Sequence, residues 1–392
     1  EVDVSALPEF SADKNTTETT AFKISSEESL RALAAKINTG SNNMQGVTFY
    51  LADNITLSGN WTPISNVSVM TDAFAGTFDG NGKTISGLRV DATAANQGLF
   101  GLINGATIKN LKVEGTVYST KSYVGGIVGK VQTGTIENCG FGGSGSSVES
   151  KAEYAGGIVG GLNSTGVKIS GCYNKASVTG KYAGGILGYC GKSAAIENCY
   201  NTGTIGGSSN SAGITGQLSK GSVKSCYNIG KINAGSKATG GIFGFSNATI
   251  TDCYYTNPDT ESCGGTSASS TGKKKITAAS EMTNLGDAFT ADSGGINNGY
   301  PILKWQVGSA SVQKEPKITI SGSKTLYMEN NGQEATSTLT VTYTDIDNIA
   351  QQPVTWHIES GGDVIALTYP SNPNDKNTQA IITAKRGGKA KI

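Results

Sequence analysis

The chain has 392 residues, 55 of them Gly, with 31 Lys+Arg against 30 Asp+Glu. A near-zero net charge excludes the basic surface that nucleic acid or an anionic membrane would need. No apolar run reaches the roughly 18 residues of a membrane span, so direct membrane insertion is not expected.

From the N-terminus, residues 1–60 read as a leading segment with a capping helix and strand. "SSEESLRALAAKINTG" is amphipathic, with Leu30, Leu33, Ala34 and Ile37 in one stripe. Ser25 and Glu28 have capping-box spacing, and Gly40 suits the stop. "VTFYLADNITL" reads as a strand, and "FAGTFDGNGKTISGL" as entry into the first coil of a repetitive region.

Residues 61–255 form that region. "GLFG" at 98–101 precedes "GGIVG" twice, "GGILG", "AGITG" and "GGIFG", and the last Gly residues of these phrases are 101, 129, 160, 188, 216 and 244. The steps are 28, 31, 28, 28 and 28 residues. Each repeat holds three short Ile/Val-rich runs bounded by Gly, Asn and Ser. Such runs are too short for helices, and three per 28 residues predict one turn of a right-handed parallel β-helix, with coils stacked about 4.8 Å apart.

Five cysteines recur in one phrase, Ile-x-x-Cys, ending at Cys139, Cys172, Cys199, Cys226 and Cys253. Upstream, the same slot is read as Ile108/Leu111 and Ile85/Leu88. Leu can replace Cys in a core seat but not in a metal or redox site, so a buried ladder is expected. A disulfide framework competes, although a 4.8 Å stack is long for the Cβ separation of a bridge. No C-x-x-C pair occurs and His is missing from the repeats, so neither a metal nor a cofactor is expected. Cys190 and Cys263 fall off this ladder. The residue after each Ile (Ser86, Lys109, Glu137, Ser170, Glu197, Lys224 and Thr251) has the mixed character of a solvated position.

Residues 256–306 read as a C-terminal cap, a short helix with an aromatic plug; "GKKKIT" within it reads as a solvated loop. Residues 307–316 are the linker. From 317 to 392 the glycine period gives way to longer alternating strands, a sandwich signature. Trp356 is its expected core aromatic, with His357 on a strand surface.

At these residues a family resemblance emerges. "GLFG", "GGIVG" and "GGILG", with "CYNTGTIGG" and "INNGYPILKWQ", resemble the GLUG-motif repeat proteins of bacteria over about 85–300. Residues 317–392, through "VTWHIESGGDVIALTYP" and "AIITAKRGGKAKI", are similar to bacterial Ig-like modules, with the last strand cut short. The resemblance implies a secreted or wall-attached bacterial protein, of which this chain is a piece with further domains. Some relatives carry a peptidase domain that attacks immunoglobulin A. No H-E-x-x-H motif occurs here, so that activity is not carried over.

Two function classes are consistent with these residues. One is a non-catalytic surface module, an adhesin or stalk, contacting glycans or host surface proteins. Its candidate contacts are two tyrosine registers: Tyr173, Tyr200, Tyr227 and Tyr254, and Tyr123, Tyr154 and Tyr182. Exposed Tyr rings suit sugar faces, although stacked Tyr can equally cover coil corners. The other class is a polysaccharide lyase or glycosidase. The repeat acids Glu137 and Glu197 share a register two coils apart, near 10 Å by coil spacing, just outside the range of a glycosidase pair. No catalytic residue is assigned, and the non-enzymatic class is preferred.

Overall fold

The computed structural model describes residues 21–40, 43–234, 238–256 and 272–307, with the strand backbones of 317–321, 336–344, 365–368 and 379–384. The chain divides into two compact units, Glu1–Ala310 and Ser311–Ile392.

The first unit is an all-β parallel solenoid. One ladder runs its length: Phe22, Phe49, Phe78, Ile108, Ile136, Ile169, Ile196, Val223 and Ile250 pair in sequence, so eight pairings join nine rungs. The solenoid therefore begins at Ala21–Ile24 and Thr48–Leu51, before the glycine period that sets the expected start at 61. In these early coils Phe fills the seat that Ile holds later, and the Gly-Gly-Ile phrase is missing.

From Ile108 onward a corner follows each ladder residue. Asn110, Asn138, Gly171, Asn198, Ser225 and Asp252 all have φ between +50° and +61°, where Asn, Asp and Gly are the tolerated residues. The turn places the next residue inward. Leu111 pairs with Cys139, and the column of Cys139, Cys172, Cys199, Cys226 and Cys253 is at most 1% exposed with every thiol free. Ile85 and Leu88 do not belong to this column. Ile85 pairs with Val113 and Leu88 with Gly115, because Phe78 takes the ladder seat in that coil. Cys190 lies on another inner column, after Phe74, Ile103, Val131 and Leu162 and before Leu218. Among Leu and Val it behaves as a small hydrophobe. Burial pushes its thiol up to about 11, and pushes those of Cys172 and Cys226 well up. Cys263 lies outside the described residues.

Strand alternation turns the residue after each Cys outward and the next one inward. Asn174, Asn201 and Asn228 are thus fully buried in register, between Phe141 and Tyr255. They form a hydrogen-bonded ladder: Asn174 Nδ2 donates to Asn201 Oδ1 at 2.7 Å and Asn201 Nδ2 to Asn228 Oδ1 at 2.8 Å. Each amide also closes a local turn, as Asn201 does with Gly203 N (3.2 Å) and Gly203 O (2.9 Å). The Gly-Gly-Ile phrase makes the opposite corner. A Cβ on Gly156 or Gly184 would stand 1.8 or 2.0 Å from the carbonyl oxygen of Val159 or Leu187, so a side chain there would force the backbone to shift, although the next coil seats Ala212 in this column.

The helix spans Glu27–Asn38, with Leu30, Leu33, Ala34 and Ile37 buried in the solenoid core. Its capping box is Ser26 with Ser29, one residue beyond the Ser25/Glu28 pair, because Ser26 holds the extended N-cap conformation. At the other end Lys273–Lys275 pairs with Cys253–Tyr255 as a further rung. The basic run is therefore a strand, and its lysines discourage pairing with another chain. Among the described residues 279–307 contain 3-10 turns at Ala279–Glu281 and Lys304–Val307 and a small antiparallel pair, Phe289–Thr290 with Ile302–Leu303, in place of the expected short α-helix. "GGINNGYP" is too rich in Gly and Asn to continue a helix.

In the second unit, four antiparallel strands pair in the order Lys317–Ser321, Thr336–Thr344, Gln379–Ala384 and Ile365–Thr368. Trp356 and His357 lie outside the described residues.

Candidate functional site

The lumen is filled by side chains, so only outer faces and corners can meet a ligand. The structure separates the two tyrosine registers. Tyr173, Tyr200, Tyr227 and Tyr254 point outward but are 7, 0, 0 and 4% exposed. Residues 276–305 return along them as a strap, packing Ile276, Met282, Leu285, Phe289 and Leu303 on the rings. Tyr254 Oη accepts from Asn284 N at 3.1 Å, Tyr227 Oη donates to Pro301 O and accepts from Asn297 Nδ2, and Tyr200 Oη bonds the Gln306 amide at 3.0 Å. Tyr200 and Tyr227 stack at 5.0 Å and 2°. Burial raises the Tyr173, Tyr200 and Tyr227 phenols. A ligand does not reach this register while the strap is seated.

The second register is open. Tyr123, Tyr154 and Tyr182 are half-buried, with ring centroids 4.9 and 5.4 Å apart along adjacent coils. Tyr154 and Tyr182 are direct register partners. A fourth ring, Tyr189, stacks on Tyr154 at 4.2 Å and 18° and meets Tyr182 edge-on at 5.9 Å. Sequence reasoning missed Tyr189, since its register partners are Gly161 and Gln217. Its outward position just after Gly188 was the available signal. Lys130 and Lys181 lie over the Tyr123 and Tyr182 rings at 5.1 and 5.4 Å, and Glu153 pairs with Lys181 at 3.5 Å. Burial, aided by neighbouring phenols and Glu153, raises the Tyr123, Tyr154 and Tyr189 hydroxyls, so all stay protonated at neutral pH.

Glu137 and Glu197 flank Ser170 in one outer column. Both line a cleft of about 380 Å³ beside the strap, together with Lys168, Asn138, Asn198 and Trp305. Lys168 Nζ lies 3.6 Å from Glu197. Among the described residues no three His, Cys, Asp or Glu side chains converge as metal ligands, and none of the helices is long and apolar enough to cross a membrane.

By fold the chain belongs to the parallel β-solenoids, with about eight turns. No family model matches it. Halomucin of Haloquadratum walsbyi is 33% identical over 159 residues, a match covering 33% of this chain and 2% of halomucin. The crystal structure of a candidate immunoglobulin A1 protease from Bacteroides ovatus aligns with a TM-score of 0.52 at 20% identity, covering 73% of this chain and 92% of that one. At that identity the likeness shows a common fold.

Proposed function

We propose that this chain is a non-catalytic module of a bacterial surface or secreted protein, an adhesin or stalk that binds glycan through its open tyrosine cluster. The observation that carries the reading is the half-exposed group of Tyr123, Tyr154, Tyr182 and Tyr189, stacked across successive coils on an otherwise filled solenoid. Pyranose C–H faces pack on such rings while hydroxyls stay wet. Each contact is weak, and repetition along the coils supplies avidity. The GLUG-like glycine phrases, the Ig-like strands after 317 and the stretch shared with a protein named as a mucin all support a surface setting. Glycan-array binding and calorimetry test the reading. Changing Tyr154 and Tyr182 together to Ser should abolish binding with circular dichroism unchanged. Wild-type protein that binds no glycan would refute it.

A second reading, a carbohydrate-active enzyme, is favoured by one observation: Glu137 and Glu197 line the same cleft. Two coil steps place their backbones about 10 Å apart, just beyond the range of an inverting pair. Polysaccharide turnover lost in Glu137→Gln and Glu197→Gln would establish it over the first.

A further inference from the structure

The cleft has a composition of its own. One wall is solenoid: Glu137 and Glu197 on either side of Ser170, Lys168 on the same rung as Ser170, and the corner amides Asn138 and Asn198. The facing wall is strap: Ala288, Leu303, Lys304 and Trp305. The indole is fixed in place. Its Nε1–H donates to Gly171 O at 2.8 Å, Tyr173 packs on it at 5.6 Å and the Lys112 ammonium stands 5.8 Å from its ring centre. The site is thus a wall of Trp305, Leu303 and Ala288, with Lys304 beside it, opposite two carboxylates, the Lys168 ammonium and amides.

We infer that this cleft binds a neutral pyranose unit, a hexose or N-acetylhexosamine. Carboxylates accept hydrogen bonds from neighbouring sugar hydroxyls, Lys168 and the two Asn amides donate, and the Trp305–Leu303 wall receives ring C–H groups. A volume of about 380 Å³ stands at the small end of ligand sites, suited to one or two rings. Two carboxylates and two ammonium groups, Lys168 and Lys304, line the cleft, so its charge is balanced and suits a neutral ring. Glu137 is exposed and makes no ion pair among the described residues, so a uronate or sialate would meet it unneutralised. The site shares no residue with the tyrosine cluster and does not depend on it.

The experiment is saturation-transfer NMR and calorimetry on the full chain. The probes are methyl glycosides of glucose, galactose, mannose and N-acetylglucosamine, their 1,4-linked disaccharides, and methyl glucuronide. Neutral probes should bind, and Glu137→Gln, on an exposed and fold-neutral position, should weaken binding by about tenfold, the loss of a charge-assisted hydrogen bond. Trp305→Phe should weaken it as well, and both losses should persist in a Tyr154→Ser/Tyr182→Ser background, where the tyrosine cluster no longer contributes. That background separates this site from the tyrosine cluster: loss of array binding there with retained probe binding here leaves both readings standing. The inference is overturned if no neutral probe binds wild type. It is also overturned if Glu137→Gln with Glu197→Gln binds as wild type does, or if the glucuronide binds as tightly as its neutral counterpart.

Discussion

Replacing Asn201 by Leu tests whether the asparagine ladder is structural. The side chain is fully buried and makes four hydrogen bonds, to Gly203 N and O, Asn174 Nδ2 and Asn228 Oδ1. Leucine has the same branching and a larger volume, so no cavity is left. Four bonds at about 1 kcal/mol each are lost, and the Gly203 N–H is orphaned at a further cost of about 1–3 kcal/mol. Burying an aliphatic chain returns about 2 kcal/mol. The net is a destabilisation of about 3–5 kcal/mol. A solenoid need not unfold as one unit, so the assay is amide hydrogen exchange around Cys199–Gly203 rather than one melting curve. Protection there should fall by about two to four orders of magnitude, the rate equivalent of that energy. Asn201→Asp supplies a pH control. A carboxylate buried against Gly203 O and Asn228 Oδ1 has its pKa raised, so the damage should be worse at pH 7 than at pH 4. If Asn201→Leu leaves protection within a factor of about two of wild type, the amide ladder is incidental.

Other outcomes rest on the same geometry. Cys199→Ala should cost about 1–2 kcal/mol, as for a small buried apolar group, and Cys199→Val far less, measured by urea denaturation. The five ladder thiols and Cys190 should react with a polar alkylating reagent only as fast as the protein opens. Asp292 accepts from Ile296, Asn297 and Gly299 N–H within the strap; burial opposes its charge, but these bonds prevail and its carboxyl lies below the usual value. A depressed folded pKa gives stability that is present above the unfolded value near 4 and lost as pH falls through the folded one. Protection factors for hydrogen exchange over 284–306, corrected for the intrinsic rate, should therefore fall below about pH 4, and Asp292→Asn should flatten that dependence. In alkaline titration monitored at 295 nm, Tyr154→Ser should remove a phenol that ionises above the ordinary tyrosine range, as expected of a ring raised by burial.

The regular coils are legible because every repeat must fill one lumen. A step of 28 residues in all but one interval, with Cys always three residues after the ladder Ile or Val, leaves little choice of inward column, and the ladder from Ile108 to Ile250 obeys that reading. Legibility fails where the seat is held by another residue type. Phe22, Phe49 and Phe78 occupy the ladder without the glycine phrase, so the first coils read as a leader and Ile85 reads one column away from its true partner. Asn174, Asn201 and Asn228 are hidden because Asn after Tyr reads as a turn residue, and only strand alternation shows it turned inward. For the candidate site, Tyr123, Tyr154 and Tyr182 are visible by register and Tyr189 is not, since its stacking partner belongs to a neighbouring coil. The strap is unreadable in principle from period alone: whether an outward stripe is bare depends on which distant segment returns over it.

That dependence explains how one repeat produces two tyrosine stripes with different fates. A period of one coil copies any outward aromatic into a stripe, whether or not function needs it. Where the stripe is continuous and flat, as between Tyr200 and Tyr227 at 2°, it offers an apolar face that bare solvent exposure would leave prone to association. The strap removes that face and satisfies the hydroxyls of Tyr200, Tyr227 and Tyr254. The other stripe is broken in slope: its rings tilt by 58° and 49° and meet Tyr189 from the next strand, with lysines over the outermost rings. Tilted rings beside ammonium groups are poor surfaces for flat protein packing and good ones for a puckered, hydroxylated ring. The same returning strap that closes the first stripe also builds the Trp305 wall of the cleft, so sealing one aromatic face and forming a polar site are consequences of a single segment's path.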